Sequence, residues 1–221
     1  MKYSAVILLG GSSRRFNGDI NKVYLKVNDK PIFKYSVDVF LSDKDCEEII
    51  IVYNKNDEEI ISSFNLDKKI KLVVGGEERY ESVLNGLEVA TCSYVLVHDG
   101  ARPLINLDLV NRVKEGLKKS KSVSLGVPVS DTIKMVIDKS VKTIDRENLY
   151  YMQTPQGSYK EDLIKVLKKI KKEDKITDDL MAFEKYSDIT PLIVLGDKNN
   201  IKITTNDDYT YIKYLMEKHN V

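Results

Sequence analysis

The sequence lacks most of the residues that announce a particular chemistry or compartment. Its 221 residues include two cysteines, Cys46 and Cys92, far apart and in no CxxC arrangement. That excludes a disulfide-dense scaffold and fits unpaired thiols in a cytoplasmic chain. Only two histidines, His98 and His219, are present. Neither a Ser/His/Asp arrangement nor a Cys/His metal cluster can be assembled, so covalent catalysis and zinc chemistry are poor candidates. No sign of charge dominates: 35 Lys+Arg stand against 34 Asp+Glu, a net charge of +1. Hence no global field draws the chain to nucleic acid or to an anionic membrane, although a local basic pocket is compatible with that sum. No apolar run is long enough to span a bilayer, and there is no internal repeat or low-complexity tract. The first apolar stretch, Ala5–Leu9, halts at Gly10-Gly11 and is followed by Arg14-Arg15 without a small-residue cleavage site. It reads as a buried strand and not as a signal peptide. A soluble, cytoplasmic protein with no nucleic-acid or membrane partner is expected.

What is present is an ordinary globular composition, 42% hydrophobic and 31% charged, enough to bury a large core within one domain over 1–221. Tyr3–Leu9, Glu48–Tyr53, Ile70–Val74, Tyr94–Val97, Ser122–Pro128 and Thr190–Val194 read as buried strands rich in Val, Ile and Leu. Between them, Ile32/Tyr35/Val39/Phe40, Val83/Leu87/Ala90 and Val110/Val113/Leu117 recur at helical spacing, as do Leu163/Leu167/Ile170 and Tyr209/Ile212/Leu215/Met216 farther on. This alternation predicts an α/β fold with a mostly parallel sheet. One segment breaks the rhythm: Ile133–Ile137 and Val141–Ile144, joined by Asp138-Lys139-Ser140, read as a protruding β-hairpin. Such a hairpin alone is marginal in water, so it is expected to pack on something, a second subunit being one choice. The Lys-rich stretch Lys165–Lys175 reads as the solvated face of a helix.

Ligands of parallel α/β sheets bind beyond the carboxyl ends of the strands, so the residues there carry the chemistry. After the first strand stands Gly10-Gly11-Ser12-Ser13-Arg14-Arg15, then Lys22. Glycines let backbone N–H groups approach an anion, and Arg15 and Lys22 add fixed positive charge. The loop matches neither GxGxxG nor GxxxxGK[ST], which disfavours hydride transfer and P-loop chemistry. Taken alone, an ordinary surface turn explains it equally well. After the third strand comes Gly75-Gly76-Glu77-Glu78-Arg79, and the fourth ends in His98-Asp99-Gly100-Ala101-Arg102-Pro103. There Asp99 suits a metal or a substrate hydroxyl and Arg102 suits a phosphate, while a structural Asp–Arg pair explains both by themselves. His98, without ligand-spaced partners, reads as a satisfied core residue. Asp178 and Asp179 read most simply as helix-start acids.

Together, Leu9–Arg15 with Lys22–Leu25, Gly75–Arg79, His98–Pro103, Val129–Lys134, Gln153–Gln156, Ile176–Asp178 and Asn200–Thr204 resemble, in content and order, the 2-C-methyl-D-erythritol 4-phosphate cytidylyltransferase family over nearly the whole chain. The resemblance implies a Rossmann-like nucleotidyltransferase fold with helices on both sheet faces, and a homodimer joined through hairpin arms at about 131–152. It implies CTP and a sugar-alcohol phosphate as substrates, with Mg²⁺. By the same resemblance, Leu9, Gly10, Gly11, Ser12, Arg15 and Lys22 cradle the triphosphate, and Gly76, Glu77, Arg79, Ser82 and Gly100 surround cytidine. Asp99, Arg102, Thr154, Thr177 and Lys202 match the sugar-phosphate side. Thr132 and Arg146 match arm residues that reach into the partner's site. Arg15, Lys22, Arg146 and Lys202 are then the catalytic cations, and Mg²⁺ is held mainly by the CTP phosphates, with Asp99 its one candidate protein ligand. The chain departs from the family pattern at Ser13, Asn21 and Val23, where glycine, proline and glutamine are usual, and at Gly157-Ser158, where an aromatic is common. Two other readings stand beside this one: the sister ribitol 5-phosphate cytidylyltransferase, and a catalytically idle nucleotide-binding regulator on the same fold.

Overall fold

Runs that are apolar on both faces form strands that must be covered on both sides. In the computed structural model, which describes residues 1–10 and 21–219, they build one large sheet. The strands are β1 (Tyr3–Leu8), β2 (Lys26–Val27), β3 (Lys30–Pro31), β4 (Cys46–Tyr53), β5 (Ile70–Val74), β6 (Tyr94–Asp99), β7 (Ser122–Pro128), β8 (Ile133–Ile137), β9 (Ser140–Ile144), β10 (Tyr150–Tyr159) and β11 (Leu192–Leu195). The helices are α1 (Ile32–Ser42), α2 (Glu58–Ser62), α3 (Arg79–Val89), α4 (Leu107–Gly116), α5 (Lys160–Leu167), α6 (Asp179–Tyr186) and α7 (Asn206–His219). Seven strands pair in the order β11-β7-β10-β6-β1-β4-β5. Every neighbour is parallel except where β10 runs antiparallel between β7 and β6.

Alternate residues of the central strands feed two cores. Ile7, Ile49, Ile51 and Leu96 pack with Phe33 and Phe40 of α1 and Val110 and Val113 of α4. On the opposite face Val6, Ile50, Val52, Val95 and Val97 meet Val83 and Leu87 of α3, Leu163 of α5 and Phe183 of α6. A third cluster joins α7, through Ile212 and Met216, to Val27, Tyr35 and Ile203. It braces the two-residue hairpin β2–β3, whose Asn28 and Asp29 take positive φ of 49° and 61° as a tight primed turn requires.

The six foreseen strands are all present, the first a residue shorter and the last shifted by a residue or two. β10 was not foreseen. Its sequence, Tyr150-Tyr-Met-Gln-Thr-Pro-Gln-Gly-Ser-Tyr159, carries proline and glycine mid-strand and buries Gln153, Thr154, Gln156 and Ser158. Proline cannot donate to a sheet ladder, and the pairing to β7 shifts register between Gln153 and Gln156. The lysine-rich stretch also differs from expectation: α5 ends at Leu167, and the chain turns there, with the Lys168 and Lys169 N–H groups bonded back to Ile164 and Val166.

The hairpin β8–β9 stands where it was expected, turning at Asp138 and Lys139 with φ of 45° and 70°. It shares no ladder with the main sheet. Val136 and Val141, paired across it, are about two-thirds exposed at 65% and 64%. The arm is shorter than the expected 131–152, because Tyr150, Tyr151 and Met152 already pair with β7 in the large sheet.

Candidate active site

The carboxyl ends of β1, β4, β5 and β6 lie along one edge of the sheet, and the candidate residues gather there. β1 hands over to Leu9, whose side chain is buried and whose N–H donates to Val52 O at 2.8 Å. Gly10 follows. Gly11, Ser12 and Arg15, with the departure Ser13, lie outside the described residues. Lys22 opens a 3₁₀ turn, Lys22–Tyr24, that buries Val23 and Tyr24. The Asn21 amide nitrogen donates to Leu9 O at 2.9 Å and to Asp57 Oδ2 at 3.2 Å. The residue that replaces the usual proline therefore ties the Lys22 turn to the end of β1.

Beyond β5, Gly76 N donates to Ser82 Oγ at 3.1 Å. The N–H groups of Glu77 and Glu78 both donate to Glu81 Oε2, at 2.8 and 3.0 Å. This capping box fixes the entry to α3. A Cβ on Gly76 would overlap Glu81, so the turn needs glycine there. Ser82 also lies under Gly10: a Cβ on Gly10 would sit 4.0 Å from its hydroxyl oxygen. Ser82 thus stands between Gly10 and the Gly75-Gly76 turn. Arg79, one residue into this helix, points toward α6, its Nη1 2.5 Å from Asp179 Oδ1 and its Nη2 3.5 Å from Oδ2. Burial works against the guanidinium charge, but Asp179 and Asp99 outweigh it and hold Arg79 protonated. Asp179 is itself buried, which pushes its carboxyl up while Arg79 pulls it down.

At the end of β6, Asp99 faces several cations. Its Oδ2 is 2.8 Å from Lys202 Nζ and 3.6 Å from Arg102 Nε. Burial alone would raise its pKa, yet Lys202, Arg79 and Arg102 hold the carboxyl well below the usual carboxylate range. Arg102 directs Nη1 to Asn200 O at 2.7 Å and Nη2 to Met152 O at 3.3 Å. It acts as a brace between loops, with burial pulling its pKa down against Asp99. Gly100 donates its N–H to Leu8 O at 2.9 Å, and a Cβ there would overlap Leu9 Cδ2. Its lack of a side chain lets the β6 turn close on β1.

His98 is a satisfied core residue, as expected. Its Nε2 is 3.2 Å from the Arg102 carbonyl, which only accepts, so Nε2 carries the proton. Burial pushes its pKa down to about 4, leaving the ring neutral and Nδ1 an acceptor. The Thr154 hydroxyl donates to Nδ1 at 3.0 Å and accepts the Asp99 N–H at 3.0 Å. Thr154 is thereby the link between β10 and the Asp99 turn.

Arg102, Lys202, Lys198 and Ser130 line a cleft of about 440 Å³ whose apolar wall includes Val127, Met152 and Ile201. Thr177 does not join it. It lies exposed beside Glu77 in a second cleft of about 800 Å³ between the α3 entry and residues 172–177. Thr132 is exposed at the foot of the hairpin, and Arg146 folds back to donate to Ser130 O at the mouth of the first cleft. The structure thus brings Asp99, Arg102, Thr154 and Lys202 together, with Arg79 close enough to act on Asp99. Asp178 caps α6 through Met181 N at 2.9 Å, as its position suggested. Gln153, Gln156 and Asn200 lie in segments that the sequence already marks, but nothing there gives the three their roles, and the Asp179 pairing with Arg79 was not foreseen. A further signal is that the segment around the two glutamines is of strand length and tyrosine-rich, with Thr-Pro between them.

Among the described residues no group of three or more His, Cys, Asp or Glu forms a metal cage. The carboxylate at the end of β6 is Asp99, and its Oδ2 is engaged by Lys202 at 2.8 Å.

The family model described as 2-C-methyl-D-erythritol 4-phosphate cytidylyltransferase matches residues 3–218. A protein of that name from Clostridioides difficile is 38% identical over 97% of this chain and 93% of its own length. Another from Caldanaerobacter subterraneus is 37% identical over 99% and 100%. Among solved structures, a 4-diphosphocytidyl-2C-methyl-D-erythritol synthase from Anaerococcus prevotii superimposes with a TM-score of 0.87 at 30% identity, covering 98% of both chains. A 2-C-methyl-D-erythritol 4-phosphate cytidylyltransferase from Francisella tularensis gives 0.82 at 32% identity, over 97% and 99%.

Proposed function

This chain belongs to the 2-C-methyl-D-erythritol 4-phosphate cytidylyltransferase family, and we propose that it transfers the cytidylyl group of CTP to 2-C-methyl-D-erythritol 4-phosphate, releasing pyrophosphate. The observation that carries this reading is the convergence at the end of β6 of Asp99, Arg102, Thr154 and Lys202, of which Arg102 and Lys202 line the 440 Å³ cleft. A phosphate monoester with a second pKa near ~6 is largely dianionic at neutral pH. Its oxygen attacks the α-phosphorus of CTP without a general base, a new P–O bond forms, and the bond to the β-phosphate bridge breaks in line. The protein's task is to bring two anions together and offset their repulsion, which requires fixed cations and no nucleophile. Arg15 and Lys22 hold the triphosphate, and Lys202 aims the attacking phosphate. Mg²⁺, when bound, would supply charge neutralisation on the phosphates, and Asp99 would hold it from the protein side.

The exposed apolar hairpin supports a homodimer in which each arm covers the partner, Arg146 leaving the Ser130 carbonyl of its own chain to reach, with Thr132, the other chain's cleft. Both cysteines are free thiols, in keeping with a cytoplasmic protein. The test is pyrophosphate release from CTP, UTP or ATP with Mg²⁺, each against methylerythritol phosphate and ribitol 5-phosphate. Turnover is expected with CTP and methylerythritol phosphate. Turnover with ribitol phosphate alone, or with none of the pairs, overturns the reading.

A further inference from the structure

The single antiparallel strand of the large sheet places two buried amides on either side of Thr154, and each amide reaches out of the sheet. Gln153 Nε2 donates to the main-chain oxygens of Asp197 and Asn200 at 2.7 and 3.2 Å. Its Oε1 accepts from Asp197 N at 3.2 Å and Asn200 Nδ2 at 3.4 Å. Both donor hydrogens and both acceptor sites are engaged. Gln156 Nε2 donates to Ser124 Oγ and to Asp178 Oδ2, each at 3.1 Å, and its Oε1 accepts Asp179 N at 2.9 Å. The targets are turns that carry site residues. The 197–202 loop holds Lys198 and Lys202 in the cleft, and its Asn200 carbonyl receives Arg102. The start of α6 follows Thr177 and presents Asp179 to Arg79.

We propose that Gln153 and Gln156 are positioning residues for the transfer reaction, Gln153 fixing the loop that aims Lys202 and Gln156 fixing the turn that holds Arg79. The assignment rests on the function proposed above. Its physical basis is independent of it: four main-chain groups (Asp197 N and O and Asn200 O in a loop, Asp179 N at the start of α6) take these amides as partners. Such groups are costly to leave unmade where they are buried, as the Asn200 O and Asp179 N bonds are. An apolar residue at either strand position would keep the sheet and lose the aim. Thr154 between them sets the Asp99 turn, so four consecutive residues place three separate stretches of chain.

The test uses the full chain with Gln153→Met, Gln156→Met and Gln153→Glu. Methionine keeps length and volume without the hydrogen bonds. Gln153→Met is expected to raise KM for the sugar phosphate by about tenfold while KM for CTP stays within about twofold. Gln156→Met is expected to raise KM for CTP by about tenfold. Amide exchange gives a readout free of activity. Protection is expected to fall at Asn200, Ile201 and Ile203 in the first variant and at Asp179 and Met181 in the second, with the β1 and β4 amides unchanged. Gln153→Glu places a carboxylate against two carbonyl oxygens, so its activity is expected to recover as pH drops from about 8 to about 6 and the acid regains a donor. Unchanged exchange at those amides, or equal effects on both KM values with no pH recovery, overturns the proposal. If the wild type transfers no cytidylyl group yet the exchange pattern holds, the function reading has failed and the structural assignment of the two amides has not.

Discussion

Replacing Asp99 by asparagine keeps the shape of the β6 turn and removes one charge, so its effect isolates the electrostatics of the site. At an effective dielectric near 20, unit charges 2.8 Å apart attract by about 6 kcal/mol. Desolvation of the buried carboxylate offsets much of this, and the Lys202 side chain, 40% exposed, loses more to solvent screening. What remains after the anion is removed is the cost of leaving Lys202, Arg102 and Arg79 facing one another. Removing one member of a buried pair costs about 3–5 kcal/mol, and the exposure of Lys202 puts Asp99→Asn near the low end, about 3 kcal/mol. For a chain of this size that lowers Tm by roughly 6–12 °C. Urea unfolding at pH 7 measures it, and Lys202→Met with the double variant measures the coupling, expected at about 1–2 kcal/mol. Asp99 is held below its ordinary 3.8, so its contribution is present above that value and is lost as pH falls beneath it. The gap between wild type and Asp99→Asn must then stay level from pH 5 to 8 and close only in acid. A gap under about 0.5 kcal/mol at pH 7, or one that closes between pH 5 and 7, refutes the reasoning.

Lys22→Ala is expected to lower turnover about 100-fold or more while the fold holds, as for loss of one preorganised electrostatic donor; near-normal turnover in folded protein removes Lys22 from the mechanism. Mixed dimers of Lys22→Ala and Arg146→Ala chains are expected to regain part of the activity, because one of their two sites is intact; no gain in confirmed dimers argues against a shared site. The His98 ring, titrated by NMR, is expected to stay neutral and Nε2-protonated through pH 5, titrating near 4. The unfolded ring takes its proton first, near 6.5, so this residue's contribution to stability falls as pH drops from 6.5 toward 4; a measured value near 6.5 rules out the buried network. Glu48, at the opposite edge of the sheet, accepts from Ser4 Oγ, Thr91 N, Thr91 Oγ1 and Lys71 Nζ at 2.6–2.7 Å. Burial opposes its charge, yet Lys71, Ser4 and Thr91 bring its pKa down to about 2. Glu48→Gln is expected to cost roughly 2–3 kcal/mol at pH 7 with kcat unchanged, a difference that fades as pH falls from 4.5 toward 2.

The parallel strands and their helices were legible because both obey a hydrophobic period: residues apolar on two faces leave strands no option but burial. The site residues that follow such strands were legible for the same reason, since topology puts Asp99, Arg102 and Gly76 at one edge once the strands are known. β10 was not legible. Its buried positions are held by hydrogen bonds from Gln153, Thr154 and Gln156, and period-based reading treats buried amides as surface. Thr177 illustrates a second limit. The family resemblance pairs it with the sugar-phosphate residues, but the turn at Asp178 faces it toward Glu77 and the other cleft.

The same wiring explains how a near-neutral protein can build a site for two anions. Three cations at this end of the sheet already have partners inside the chain: Arg79 has Asp179, Arg102 has the Asn200 and Met152 carbonyls, and Lys202 has Asp99. These pairings keep like charges apart and hold the groups in place before any ligand arrives, which is what electrostatic preorganisation requires. They differ in how readily they yield. The two guanidiniums are 25% and 11% exposed and bound at two points each, whereas the Lys202 ammonium is 40% exposed on a flexible stem with Asp99 as its one carboxylate. An arriving phosphate therefore trades with Asp99 for Lys202 at the least cost and leaves both arginines as frame.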